Sequence, residues 1–205
     1  MQCLFEKIFF KQNIPHAASK LELKLPYAKG LVAAILILLL LFVFYPIITQ
    51  VTGYTFRIPP DWISLGAGVF ISHGIGEELI FRGFLFRHIR ESVNSFWKAA
   101  LLSVPFFAAA HVPIIISKGM LVGGTAFLLA VASSFPLAYL FERSGNSIIP
   151  PAIVHFAIDT IIPILSFAGA NPESQIPTVY WMLVSMVIPY LAFVILREKQ
   201  KRNMT

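Results

Sequence analysis

Residues 30–50, GLVAAILILLLLFVFYPIITQ, carry no charged side chain and decide the fold class. About 20 apolar residues at 1.5 Å per residue cross the ~30 Å hydrocarbon core of a bilayer. In lipid the backbone must satisfy its own hydrogen bonds, so such a run is a helix. The rest of the chain agrees. Hydrophobic residues make up 57% of the 205 and charged residues 13%, with a mean hydropathy of +0.77. That is about half the charged share of a soluble domain. A soluble fold of this composition would expose large apolar patches. The solvent is therefore a bilayer.

Further apolar runs are expected as helices at 62–89, 97–116, 120–141, 148–167 and 178–196. Residues 51–61 read as a loop, with Asp61 as the N-cap of the second helix and Trp62 at the interface. Asn146, ahead of Pro150 and Pro151, marks the start of the fifth helix. Residues 1–29 form a basic amphipathic leader. Leu4, Phe5, Ile8 and Phe9 fall at helical spacing with lysines between them, the pattern of a segment lying on an anionic leaflet. The leader has no long apolar core or small-residue cleavage site, so it does not read as a signal peptide. The expected fold is all-α, a polytopic membrane bundle of six helices. Its embedded domain spans 30–196, its motif region 62–165, and a basic tail follows at 197–205.

The formal charge is +6 and the pI about 9.6. The basic residues gather at the chain ends and beside the spans, which points to membrane lipid and excludes nucleic acid as a partner. With the N-terminus in the cytoplasm, the inner segments hold Lys7, Lys11, Lys20, Lys24, Lys29, Arg87, Arg90, Lys98, Arg143, Arg197, Lys199, Lys201 and Arg202. The outer loops hold Arg57 and Lys118. This asymmetry predicts a multi-pass protein with both termini cytoplasmic. The compact form leans toward a prokaryotic plasma membrane. Cys3 is the single cysteine, so no internal disulfide forms.

Against this apolar background stand Glu77, Glu78, Arg82 and Asp159, with His111 and His155. Ionisable groups at membrane depth cost several kcal/mol unless paired or wet, so they are candidates for function. Glu78 and Arg82 are four residues apart and share a helix face, as do His155 and Asp159. Glu77 is turned about 100° from Glu78. Its bland partner would be Arg82, or His73 one turn earlier. Counting ~1.5 Å per residue from the helix ends puts Glu77, His111, His155 and Asp159 in one mid-membrane layer. A carboxylate and a histidine can activate water, and a second histidine with a polar neighbour can hold an oxyanion. Glu77, His111 and His155 could instead bind zinc, although no HExxH is present. A proton relay would use the same groups. Composition and spacing leave these alternatives open.

Residues 76–83, GEELIFRG, resemble the EExxxR motif of the CPBP/ABI family, the CAAX-protease and bacteriocin-processing group of intramembrane endopeptidases. Phe107 to His111 resembles its FxxxH motif, and His155 to Asp159 its Hxxx(N/D) motif. The resemblance covers residues 62–165. It implies a glutamate-dependent endopeptidase without a cofactor. Glu77 and His111 would activate water, His155 and Asp159 would line the oxyanion site, and Glu78 and Arg82 would be supporting residues. The prenyl-protein enzymes of eukaryotes carry Asn at the position of Asp159. An ionised Asp cannot donate a hydrogen bond, so it must be protonated or must orient His155. Implied partners are polypeptides: prenylated proteins, peptide pheromones or bacteriocin leaders. The alternatives are a zinc-dependent peptidase on the same residues and a non-catalytic immunity or scaffold protein.

Overall fold

The computed structural model describes residues 22–160, 166–168 and 175–197. Most of the expected leader, with Cys3, and all but the first residue of the tail lie outside the described residues.

Helix α1, Ala28–Thr52, contains the stretch read first and closes at Gly53. Gly53 takes φ +72°, which glycine adopts without a Cβ penalty, and its N–H reaches Thr49 O at 2.9 Å. Strand β1, Thr55–Arg57, follows and pairs antiparallel with β2, Ser166–Ala168. This ladder corrects two expectations, because β1 lies in the expected loop and β2 overlaps the end of the expected fifth helix. Three residues are too short for a period-2 pattern to declare a strand.

Helix α2, Trp62–Val69, continues through the π-wound segments Phe70–Glu77 and Leu79–Phe86 into α3, Arg87–Val93. A single regular α-helix was expected there. Asp61 holds the N-cap position, but its side chain makes no capping bond. Its carbonyl instead accepts from the Ser64 hydroxyl at 2.9 Å.

Helix α4, Phe96–Ala109, ends before the expected limit at 116, and the chain turns at Ala110 and His111. Pro113 stands in the first turn of α5, Val112–Arg143, where its missing N–H is harmless, so a new helix starts there. Helix α5 is itself broken at Gly119 (φ 78°, ψ 173°), a backbone region essentially reserved for glycine. His111 therefore sits at a junction and not inside a span.

Asn146 ends α5 and does not open the next helix. It has φ +57°, and its N–H reaches back to Phe141 O at 3.0 Å. Helix α6, Ile149–Asp159, stops short of the expected 167, with Pro163 lying just beyond in the sequence. Helix α7, Ile176–Val187, passes through a 3₁₀ turn at Ile188–Tyr190, where Pro189 interrupts the α-helical ladder, into α8, Leu191–Ile195.

Among the described residues, Ala28–Thr52, Val112–Arg143 and Ile176–Ile195 are long and apolar enough to cross a membrane. Ala33, Ala34, Ile37 and Leu41 of α1 are fully buried, while Val32, Leu36, Leu39 and Val43 point outward toward lipid. Small residues on the inner face allow close helix approach, which drives association where the hydrophobic effect is absent.

The bundle has two distinct ends. At one, Tyr27 N–H donates to Ser144 O (3.1 Å), the Ser147 hydroxyl to Lys24 O (2.7 Å), and Arg90 Nε to Glu142 (2.8 Å). At the other, the Tyr45 and Thr160 hydroxyls share a hydrogen bond at 3.3 Å, and Trp181 Nε1 donates to Ile158 O at 2.9 Å.

Candidate active site

Glycine sets how closely the carriers of the site approach. A Cβ on Gly74 would stand 3.0 Å from the Ala152 carbonyl, so the bare backbone of Phe70–Glu77 lies against α6. The wide winding of that segment matters as well. π-Wound turns are rare and concentrate at functional sites, because they re-aim side chains that a regular helix would spread apart.

The expected i,i+4 pair is present. Arg82 Nη1 donates to Glu78 Oε1 at 2.8 Å, and both side chains are buried. The same carboxylate oxygen accepts from His155 Nδ1 at 2.7 Å. Arg82 also lies over the Phe107 ring, with its guanidinium carbon 4.3 Å from the centroid. Phe107 presents its ring at tilted or edge-on angles to Phe81, His111 and His155. One buried phenylalanine thus joins all three motifs. The FxxxH spacing marked Phe107 only as the first residue of a motif; its cation–π contact was not legible from sequence.

Glu77 faces away from Arg82, as its angular offset required. Its Oε1 lies 3.2 Å from His73 Nδ1, and its Oε2 lies 3.8 Å from His155 Nε2. Glu77 Oε2 is buried and has no hydrogen-bond partner. His73 Nδ1 also stands 3.0 Å from Asp159 Oδ2, which in turn is 3.5 Å from His155 Nε2. Carboxylates accept, so the Nδ1–H of His73 is the shared donor. The sequence placed His73 near Glu77 but gave no sign of its contact with Asp159.

His111 Nδ1 donates to the Phe107 carbonyl at 2.9 Å. A carbonyl only accepts, so this bond fixes the tautomer and leaves Nε2 with its lone pair. His111 joins Glu77, His73, His155 and Asp159 in the wall of a cavity of about 830 Å³. The remaining lining is mainly apolar, from residues such as Ile114, Leu129, Ile158 and Met182. An apolar cleft of this size with a few convergent polar groups is the usual form of a binding site. All six residues singled out from the sequence therefore come together. Glu78 and Arg82 form the buried base, and the other four face the cavity. Among the described residues, no three His, Cys, Asp or Glu side chains converge as a metal-holding group.

No curated protein and no solved structure matches the chain. A family model does match, that of the type II CAAX prenyl endopeptidases, Rce1-like, over residues 58–161. The matched region is half of the chain and runs from just before α2 to just beyond α6, so it takes in every residue of the cluster. The protein is an integral membrane protein that belongs to the Rce1-like family of type II CAAX prenyl endopeptidases.

Proposed function

We propose that the chain is an intramembrane endopeptidase acting on membrane-associated or membrane-entering polypeptides, in which Glu77 and His111 activate the attacking water. The observation that carries this reading is the division of labour within Glu77. One oxygen is held by His73, while the other is buried without a partner beside an apolar cavity. A general base needs such an arrangement, with an oriented carboxylate and a lone pair not committed to another group.

Glu77 takes a proton as the water oxygen bonds to the peptide carbonyl carbon. His111 Nε2 accepts a hydrogen bond from the same water and aligns it. The carbonyl oxygen becomes an oxyanion, which His155 meets through Nε2–H while Glu78 holds its Nδ1 side. Glu77 then returns its proton to the leaving amine as the C–N bond breaks. Asp159 is an acceptor here, lying 3.0 Å from His73 and 3.5 Å from His155. Its role is to orient those imidazoles, and it does not donate to the oxyanion. The reaction needs no metal in this scheme.

Glu77→Gln keeps the size of the side chain and removes its basicity. Cleavage by the purified, inserted protein is expected to fall by ~10²-fold or more, the usual weight of a general base. Undiminished cleavage by this variant would remove Glu77 from the mechanism.

A further inference from the structure

Glu78 is one of two buried acids among the described residues, and Glu22 is the other. The Glu22 carboxylate pairs with Arg87 Nη1 and, at 2.6 Å, with Lys24 Nζ. Taking a carboxylate out of water is costly unless it is paired, so its partners show what it holds. The backbone of Glu22 is strained as well. Its φ is +59°, a left-handed conformation that glutamate rarely adopts. Such a geometry persists only where the surroundings impose it.

The surroundings here are the α5–α6 connection. The Glu22 carbonyl accepts from Ile148 N–H at 3.2 Å, and the Lys24 carbonyl accepts from the Ser147 hydroxyl at 2.7 Å. Tyr27 N–H donates to Ser144 O at 3.1 Å. Leu23 packs on the cluster of Phe86, Phe141 and Ile148. The Tyr27 ring covers Gly145, where a Cβ would stand 3.0 Å from it. Residues 22–27 are thus a strap laid across that connection.

Two elements meet at Glu22. Its side chain holds Arg87, the first residue of α3, which continues the π-wound stretch bearing Glu77 and Glu78. Its carbonyl holds Ile148, the residue before α6, which bears His155 and Asp159. Deeper in the bundle the 2.7 Å bond from His155 to Glu78 joins the same two elements. Arg87 lies nine residues from Glu78 and Ile148 seven from His155, or ~14 and ~10 Å at 1.5 Å per residue. A single tie leaves two helices free to pivot about it. A second tie at that distance fixes their angle.

We infer that Glu22 is a positioning residue for the active site: by bridging Arg87 and the start of α6 it fixes the crossing that brings Glu77 and Glu78 to His155 and Asp159. Its effect on cleavage rests on the peptidase reading; its effect on the crossing does not. Misplacement of reacting groups by about 1 Å, from a change far from the chemistry, can cost ~10²-fold in rate.

The test compares Glu22→Gln, Glu22→Gly and Glu22→Asp in the full chain. The first two remove the carboxylate, and glycine also relieves the left-handed strain. Both are expected to lower kcat by about 10- to 100-fold, with KM and melting temperature near those of the parent. Both should also speed amide hydrogen exchange over residues 148–155. Glu22→Asp keeps the charge and should recover part of each effect. Parent-like exchange in Glu22→Gln and Glu22→Gly overturns the inference. So does faster exchange with undiminished kcat, or a fall in kcat that only follows a fall in melting temperature. Exchange needs no cleavage, so a parent protein that cleaves nothing would remove the peptidase reading while the exchange comparison still decides whether Glu22 ties the two helices.

Discussion

His73 Nδ1 lies 3.0 Å from Asp159 Oδ2 and 3.2 Å from Glu77 Oε1, so one imidazole N–H is shared by two carboxylates on different helices. The contact links the first turn of the π-wound stretch to the last turn of α6. It holds the proposed base with one oxygen occupied and one free.

His73 is accordingly a positioning residue, and its loss should be graded. A hydrogen bond to a charged group contributes about 1.5–3 kcal/mol, so His73→Ala should lower kcat/KM by about 10- to 100-fold with the loss in kcat. His73→Asn, which retains an N–H donor, should recover part of it. The same pH profile and full kcat in His73→Ala would make the contact merely structural.

The Glu78–Arg82 pair should govern stability more than chemistry. Removing one partner of a buried pair leaves an uncompensated charge, at a cost of about 3–5 kcal/mol. Arg82→Met should therefore melt well below the parent protein in detergent, and the Glu78→Gln/Arg82→Met double variant should be less damaged than Arg82→Met alone. Arg82→Lys should rescue only in part, because an ammonium cannot combine the planar stack on Phe107 with the bond to Glu78. Equal melting of the single and double variants would argue against this coupling.

Gly74 should tolerate no side chain. Its Cβ would press on the Ala152 carbonyl at 3.0 Å, whereas a Cβ on Gly68 meets nothing within 4 Å. Gly74→Val should cost about 1–3 kcal/mol by overpacking and should reduce cleavage by separating Glu78 from His155. Gly68→Ala should fold and insert like the parent. Thermal melts and cleavage assays on the pair check both statements, and a fully active Gly74→Val protein would contradict the packing account.

Metal removal distinguishes the two ways of activating water. If the Glu77 carboxylate is the base, exhaustive dialysis against a chelator should leave the cleavage rate unchanged, and added zinc should not raise it. Activity lost on chelation and restored by zinc would transfer the water from the carboxylate to a metal ion held by Glu77, His111 and His155.

The sequence alone determined the solvent of this protein and picked out the ionisable residues that the fold gathers around one cavity. An uncharged run long enough to cross lipid must be a helix, because no water is available to satisfy its backbone. The i,i+4 spacing of Glu78 and Arg82 fixed their pairing, since that geometry belongs to a single helix. The family membership was also carried by motif spacing, along the π-wound stretch after α2, across the end of α4 and within α6. Tertiary structure decided what no single helix contains. The contact of His73 with Asp159 spans much of the chain and depends on how far α6 can approach Gly74. Phe107 became the common neighbour of three motifs through packing. His111 moved to a helix junction because Pro113 begins a new helix. The β1–β2 ladder joins two segments whose local patterns are too short to announce it. Above all, the direction in which Glu77 faces a cavity follows from the relative rotation of the packed helices, a quantity that residue spacing along one chain does not encode.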